Sequence, residues 1–319
     1  MTVPVIRLLL QQYPELRVTM VSTAFVAPLF RNIDRLQFHA ADLKGTHAGF
    51  GGLFRLSREL KKAYDFDAVA DLHNVLRTKV LRAFFAAYPK AAIDKGRQEK
   101  KAATRQEHRV LKPLKTTFQR YADVFAALGL PLELDVEGGK SPRPQRAGER
   151  RQIGIAPFAQ YEEKMYPAAR MKEVLLLLSH QADADLLLFG GRNDAGVLEE
   201  WAKEIPGVRS IAGTMSFEKE LDLIATLDLM VSMDSANMHF ASLYGVPVVS
   251  IWGGTHPWLG FYGWGQDPAN AVQAELDCRP SSVFGNKPCP RQGECMRRIP
   301  PAQVVDAVLR QLNASNTSI

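Results

Sequence analysis

Short apolar runs alternate along this chain with longer stretches in which apolar positions recur at helical spacing. The second half shows the pattern most cleanly. Residues 152–158 predict a strand, and Pro167 opens a helix that runs to about His180. Residues 185–189 are apolar without alternation after Asp185, as expected of a strand covered on both faces. Gly190 and Gly191 turn the chain, and a helix follows through Trp201. A short strand at 208–211, a helix from Ser216 to about Thr226, a strand at 229–233, a helix at 235–244 and a strand at 246–252 complete the series. Strand and helix alternating in this way predict an α/β fold with a doubly wound parallel sheet.

The first half follows the same rhythm less regularly. Residues 2–12 predict a helix: Thr2 can cap it, Pro4 suits its first turn, and Tyr13 and Pro14 end it. Residues 16–22 predict a strand, a second helix–strand unit ends at residues 67–71, and residues 72–85 predict an amphipathic helix. Domains of this kind usually open on a strand, then a glycine-rich loop, then a helix. This chain opens on the helix, so the expectation is that a strand and its loop belong upstream of Met1; the alternative is a domain that begins on a helix. Residues 136–150 are rich in Gly, Pro and charge and are the expected linker. The expected division is 1–140, 141–300, and a C-terminal helix and tail at 301–319. The apolar positions Val304, Val305, Val308, Leu309 and Leu312 suit a helix packing back on the first domain. No internal repeat or low-complexity tract is evident.

Length supports this division, since 319 residues suffice for two domains of roughly 150. A hydrophobic fraction of 46% and a charged fraction of 23% exclude wholesale disorder. The net charge of +6 favours phosphates, nucleotides and anionic lipids as partners. Part of it is concentrated at residues 95–120, where Lys95, Arg97, Lys100, Lys101, Arg105, Arg109, Lys112, Lys115 and Arg120 meet few acids. That stretch is a solvated helix face, or a face for an anionic acceptor or a membrane surface. It lacks the interleaved aromatics of a single-strand binder, so no nucleic-acid partner is expected. Three cysteines do not make a secreted disulfide framework. No signal-peptide pattern is visible, and no apolar run reaches the roughly 18 residues of a spanning helix. The expected location is the cytoplasm, with peripheral contact at the inner membrane.

Four polar loops follow predicted strands, the edge where parallel α/β sheets bind ligands. In the first, Asp234 stands where strand turns to helix, followed by Ser235, Ala236, Asn237, Met238 and His239. The free N–H groups at that helix start suit a diphosphate; equally, Asp234 is a good N-cap. In the second, Lys164 is placed to reach a phosphate and to stabilise charge on a leaving diphosphate without a metal. In the third, Gly190 and Gly191 permit close backbone approach, and Arg192, Asn193 and Asp194 suit ribose or sugar hydroxyls. In the fourth, Thr255 and His256 follow Gly253 and Gly254. Convergence of four such loops on one sheet edge indicates nucleotide binding; it does not indicate which reaction.

Asp234-Ser235, Met238-His239 and the following Gly245-Val246-Pro247 resemble the signature of glycosyltransferase family nine, the heptosyltransferases. Lys164-Met165-Tyr166-Pro167 matches the family's Lys-x-Tyr/Trp-Pro pattern, and the helix containing Pro4 to Arg7 is similar to its first helix. The resemblance implies a GT-B fold, two Rossmann-like domains facing across a cleft. It implies an ADP-heptose donor held mainly by the C-terminal domain, with Lys164 at the diphosphate and Asp234 on the donor. Backbone N–H groups of residues 235–239 would surround the diphosphate, with Gly190, Gly191, Asn193, Asp194 and Thr255 completing the substrate site. It implies a lipopolysaccharide inner-core acceptor near residues 95–120, and inverting transfer with no metal or other cofactor.

Two departures matter. The family's general base is an aspartate in the loop before the first helix, and no residue of this chain matches it, so no catalytic residue is assigned. Asp234 is followed by Ser-Ala where Thr-Gly is commoner. The alternatives are therefore a catalytically impaired nucleotide-sugar-binding protein, or a related GT-B enzyme, such as an epimerase, using a different nucleotide sugar. Cys278, Cys289 and Cys295 resemble a cysteine-containing segment of related proteins that has a fourth cysteine near Ser281; zinc needs tighter pairs than these, and free thiols are expected.

Overall fold

The computed structural model describes all residues except 145–147, 149, 290 and 315–319. Part of the expected linker and the tail after the last helix lie outside the described residues. The chain divides into two compact units. One comprises residues 1–96 and 115–139; the other comprises residues 97–114 and 140–319.

The first unit opens with α1 (Thr2–Gln12), whose Val5, Ile6, Leu8 and Leu9 are fully buried. β1 (Val18–Ser22) pairs in parallel with β2 (Leu36–Ala40), and α2 (Gly49–Ala63) follows. β3 (Val69–Asp71) precedes α3 (Leu76–Ala83) and pairs in parallel with β4 (Lys90–Ala92). The predicted helix at 72–85 starts four residues late. The Asp71 carboxylate accepts the N–H groups of His73 at 3.0 Å and Asn74 at 2.7 Å, which holds a loop there. α4 (Arg97–Ala103) belongs to the second unit, and α5 (Thr117–Ala126) returns to the first. Thr116 and Gln119 form a reciprocal capping box at the start of α5. The strands of this unit make two separate parallel pairs, β1–β2 and β3–β4. Val21 of β1 and Val69 of β3 nonetheless join one apolar cluster beneath Leu56 and Leu60 of α2.

The second unit contains β5 (Arg151–Ala156), α6 (Ala168–Gln181), β6 (Ala184–Leu188), α7 (Ala195–Glu204) and β7 (Val208–Ser210). It continues with α8 (Phe217–Thr226), β8 (Leu229–Met233), α9 (Ala236–Leu243) and β9 (Val248–Trp252). β10 (Ala271–Gln273), α10 (Glu294–Arg297) and α11 (Pro301–Ala314) complete it. All strand pairs are parallel, in the order β10-β9-β8-β5-β6-β7. This is a doubly wound sheet whose strand order reverses between β5 and β8, and such a switch point is where ligands bind. Every residue of β8 and β9 is buried, as a strand covered on both faces requires.

Val304, Val305, Val308 and Leu312 of α11 share a core cluster with Met171, Val174, Leu175 and Leu178 of α6. The C-terminal helix is thus part of the second unit's own core.

Candidate functional site

β5 and β8 lie side by side at the switch point, and each delivers one charged side chain to the carboxyl edge of the sheet. After β5 the chain makes a short 3-10 turn, Glu162–Lys164. Tyr166 then anchors it: its ring is buried and its hydroxyl donates to the Ile299 carbonyl at 2.8 Å. Pro167 is the residue before α6, so turn, anchor and helix start fix the path around Lys164. After β8, Asp234 is buried, and its N–H donates to the Ile251 carbonyl of β9 at 3.3 Å.

The two side chains meet. Lys164 Nζ lies 2.8 Å from Asp234 Oδ2 and donates to the Asp234 carbonyl at 3.2 Å. Thr255 Oγ1 also donates to Asp234 Oδ2, at 2.8 Å. The Asp234 carboxylate is therefore matched by a cation and a hydroxyl, which removes the repulsion that an isolated carboxylate would present to a phosphate. The next residues open α9. Ser235 makes no side-chain cap; its Oγ lies 3.0 Å from that of Ser232. The first-turn N–H groups of α9 are left without a side-chain cap beside an ammonium group. This is an arrangement that attracts anions.

The other predicted residues divide. Ala236 is exposed, Asn237 half-buried, and Met238 fully buried as a core residue. His239 Nδ1 is shut off from solvent with no hydrogen-bond partner. Burial, with Lys164 adding in the same direction, pushes its pKa down to about 3, so the ring is neutral. Thr255 is buried behind Asp234 and acts on it. His256 accepts the Trp258 N–H on Nδ1, and burial followed by the Arg279 charge lowers its pKa to about 4.

In the third loop, Asp194 Oδ2 accepts the Gly191 N–H at 2.8 Å, which closes the turn. A Cβ on Gly190 would lie 2.7 Å from Leu198 Cδ1, so that glycine answers to packing inside the unit. Gly191 and Asn193 are exposed.

The sequence reading missed two supports of this site. Arg279 is buried, and its guanidinium donates to the carbonyls of Gly253 at 2.6 Å, Thr255 at 3.0 Å and Ala274 at 2.6 Å. It thereby fixes the loop that carries Thr255. Gly285, with φ +74°, packs so closely on Lys164 that a Cβ would lie 2.7 Å from Lys164 Cγ. Neither carries a local signal: an arginine beside a cysteine and a glycine in a loop look alike wherever they stand.

The basic stretch is also not one free face. Lys100 is buried with Nζ 4.0 Å from the Phe261 ring centre. Arg109 binds the carbonyls of Asp277, Cys278 and Arg279. Arg120 is buried and donates to the Lys115 and Asp94 carbonyls. Residues 97–114 stand in the second unit, not the N-terminal one. Cys289 and Cys295 are buried and Cys278 half-buried, all three as free thiols. Among the described residues no group of three His, Cys, Asp or Glu side chains is arranged to hold a metal ion.

Comparison with known proteins gives a consistent answer. The model of glycosyltransferase family 9 (heptosyltransferase) matches residues 53–287. Lipooligosaccharide heptosyltransferase 2 of Haemophilus influenzae is 26% identical over 274 residues, covering 77% of each chain. The enzyme of the same name from Campylobacter jejuni is 27% identical over 222 residues, 66% of each chain. Among solved structures, E. coli ADP-heptose LPS heptosyltransferase II superposes with a TM-score of 0.69 at 18% identity, over 98% of this chain and 94% of that one. E. coli heptosyltransferase WaaC with ADP superposes with a TM-score of 0.66 at 17% identity, over 97% and 95%. The fold is therefore the GT-B fold of these enzymes. With the family model spanning most of its length, this protein belongs to glycosyltransferase family 9, the heptosyltransferases, and is a glycosyltransferase.

Proposed function

We propose that this protein transfers heptose from ADP-heptose to the inner core of lipopolysaccharide, with inversion at the anomeric carbon and without a metal ion. The observation that carries the reading is the Lys164–Asp234–Thr255 group beside the uncapped start of α9, at the switch point of the second unit's sheet. A diphosphate seated there meets an ammonium and backbone N–H groups together. In the reaction an acceptor hydroxyl oxygen bonds to the anomeric carbon as the bond to the diphosphate oxygen breaks, and the hydroxyl proton is released to solvent. The negative charge that develops on ADP is stabilised by Lys164 and the α9 N–H groups, the work a metal performs elsewhere. Two solved relatives support the donor: E. coli ADP-heptose LPS heptosyltransferase II, and E. coli heptosyltransferase WaaC, solved with ADP. The relatives acting on lipooligosaccharide support the acceptor.

The test is heat stability against ADP-heptose, ADP, and GDP- and UDP-sugars. A ligand that binds the native state raises its stability in proportion to the logarithm of its excess over Kd. The expected result is a shift with ADP ligands alone, lost in Lys164→Ala and Asp234→Ala, together with heptose transfer to a core acceptor. A shift with UDP or GDP sugars keeps the fold and overturns the donor. Binding of ADP-heptose without transfer marks a nucleotide-sugar-binding protein.

A further inference from the structure

α2 of the first unit carries exposed aromatic rings as well as a buried apolar stripe. Leu53, Leu56, Ser57 and Leu60 point inward and are buried. Beside that buried stripe stand Phe50, 69% exposed, and Phe54, 48% exposed, one helical turn apart. Both rings stand edge-on to Phe84, at 5.4 and 5.5 Å between centres, so the exposed aromatics form one cluster rather than scattered residues. The same side continues with Arg55, Arg58 and Lys62, all exposed. Glu59, the helix's one acid, lies at the margin and is engaged by His47 Nε2 at 2.9 Å. A helix whose apolar stripe faces the core thus presents a second stripe of aromatic rings and unopposed cations to the outside. Aromatic rings with Arg and Lys on one helix face suit the interface of an anionic bilayer, where the rings enter the headgroup layer and the cations meet lipid phosphates. The place of the cluster fits as well. Phe50 stands in the first turn of α2, which residues 41–48 join to the end of the parallel strand β2, and such connections line the edge at which these sheets receive ligands.

We infer that the Phe50–Phe54–Phe84 cluster with Arg55, Arg58 and Lys62 is a membrane-docking surface for anionic phospholipid, holding the first unit's ligand edge at the bilayer that carries the acceptor. The inference rests on the lipid-linked acceptor of the proposed function and goes beyond it in naming the surface. It also moves the membrane contact from residues 95–120, where Lys100, Arg109 and Arg120 have internal partners, to α2.

The full chain is sedimented with vesicles of phosphatidylcholine alone and of phosphatidylcholine with phosphatidylglycerol, at low and high salt. The expected result is co-sedimentation with the anionic vesicles, weakened by salt. Phe50→Ser with Phe54→Ser, and separately Arg55→Gln with Arg58→Gln and Lys62→Gln, each lower the partition by at least about tenfold. All five positions are exposed, and unchanged unfolding midpoints and ADP binding verify the fold of both variants. No sedimentation of the parent chain with anionic vesicles overturns the inference; so does sedimentation that neither variant weakens, or a dimer that dissociates in the Phe variant without any vesicle binding. Transfer to a lipid-free core oligosaccharide separates the two readings. Transfer without vesicle binding removes the docking surface and keeps the function; vesicle binding without transfer does the reverse.

Discussion

Lys164 and Asp234 are 70 residues apart in the chain and 2.8 Å apart in the fold. Their side chains are only 15% and 8% exposed, so each partner answers for the other's charge. Lys164→Met is expected to cost stability as well as donor binding, because it leaves the Asp234 carboxylate buried without its cation, typically about 3–5 kcal/mol. Adding Asp234→Asn removes that stranded charge. Urea unfolding of the double variant should therefore recover much of the lost stability, while calorimetric titration with ADP stays as weak as in Lys164→Met alone. Recovery of both would mean that Lys164 serves the fold and not the nucleotide. His239 offers a second residue-scale prediction. Its folded pKa of about 3 lies below the ordinary 6.5 of the unfolded chain. The unfolded state therefore takes up a proton first as pH falls, and the stability that the neutral ring contributes is complete above pH 6.5 and lost between there and about pH 3. Over that window the parent should lose up to about 1.4 kcal/mol per pH unit more than His239→Gln. Parallel slopes in urea titrations at pH 6.5 and 4.5 would show that the ring is not buried neutral.

At the scale of elements, packing outweighs local preference. Leu175 of α6 is fully buried in the cluster that α11 completes. Leu175→Ala should cost about 2–5 kcal/mol in chemical denaturation. Caps contribute less, and their geometry ranks them. Thr116 exchanges two hydrogen bonds with Gln119, at 2.8 and 3.2 Å, whereas Ser216 receives one long bond from the Lys219 N–H at 3.4 Å. Thr116→Ala is expected to cost about 1 kcal/mol and Ser216→Ala less; the reverse order would contradict the capping geometry. The helices α6 to α9 and α11 and the strands β5 to β9 were readable from periodicity because each carries its own apolar pattern, as in the unbroken run Leu186, Leu187, Leu188 of β6. β10 is three residues long and was not readable, since it exists only as an edge partner of β9. The late start of α3 was equally hidden: Asp71 holds residues 72–75 out of the helix through backbone bonds that no periodicity encodes.

At the scale of the whole molecule, the residues of the proposed nucleotide site, Lys164, Asp234 and Thr255, all belong to the second unit. Hydrogen exchange on adding ADP should slow the amides of the turn after β5, the start of α9 and the loop after β9, and leave β1 to β4 unchanged. Protection centred on β1 to β4 would move the donor site to the other unit. What the sequence alone determined was the alternation of strand and helix, the family, and the loops after β5 and β8, because each of these is written in neighbouring residues. Strand order, and with it the placing of Lys164 against Asp234, came only from the tertiary structure, since parallel strands that pair are separated by whole helices. So did the support given by Arg279 and Gly285, the membership of residues 97–114 in the second unit, and the docking of α11 on α6. Each of these depends on which distant surface a side chain meets, and a linear pattern carries periodicity but not partners.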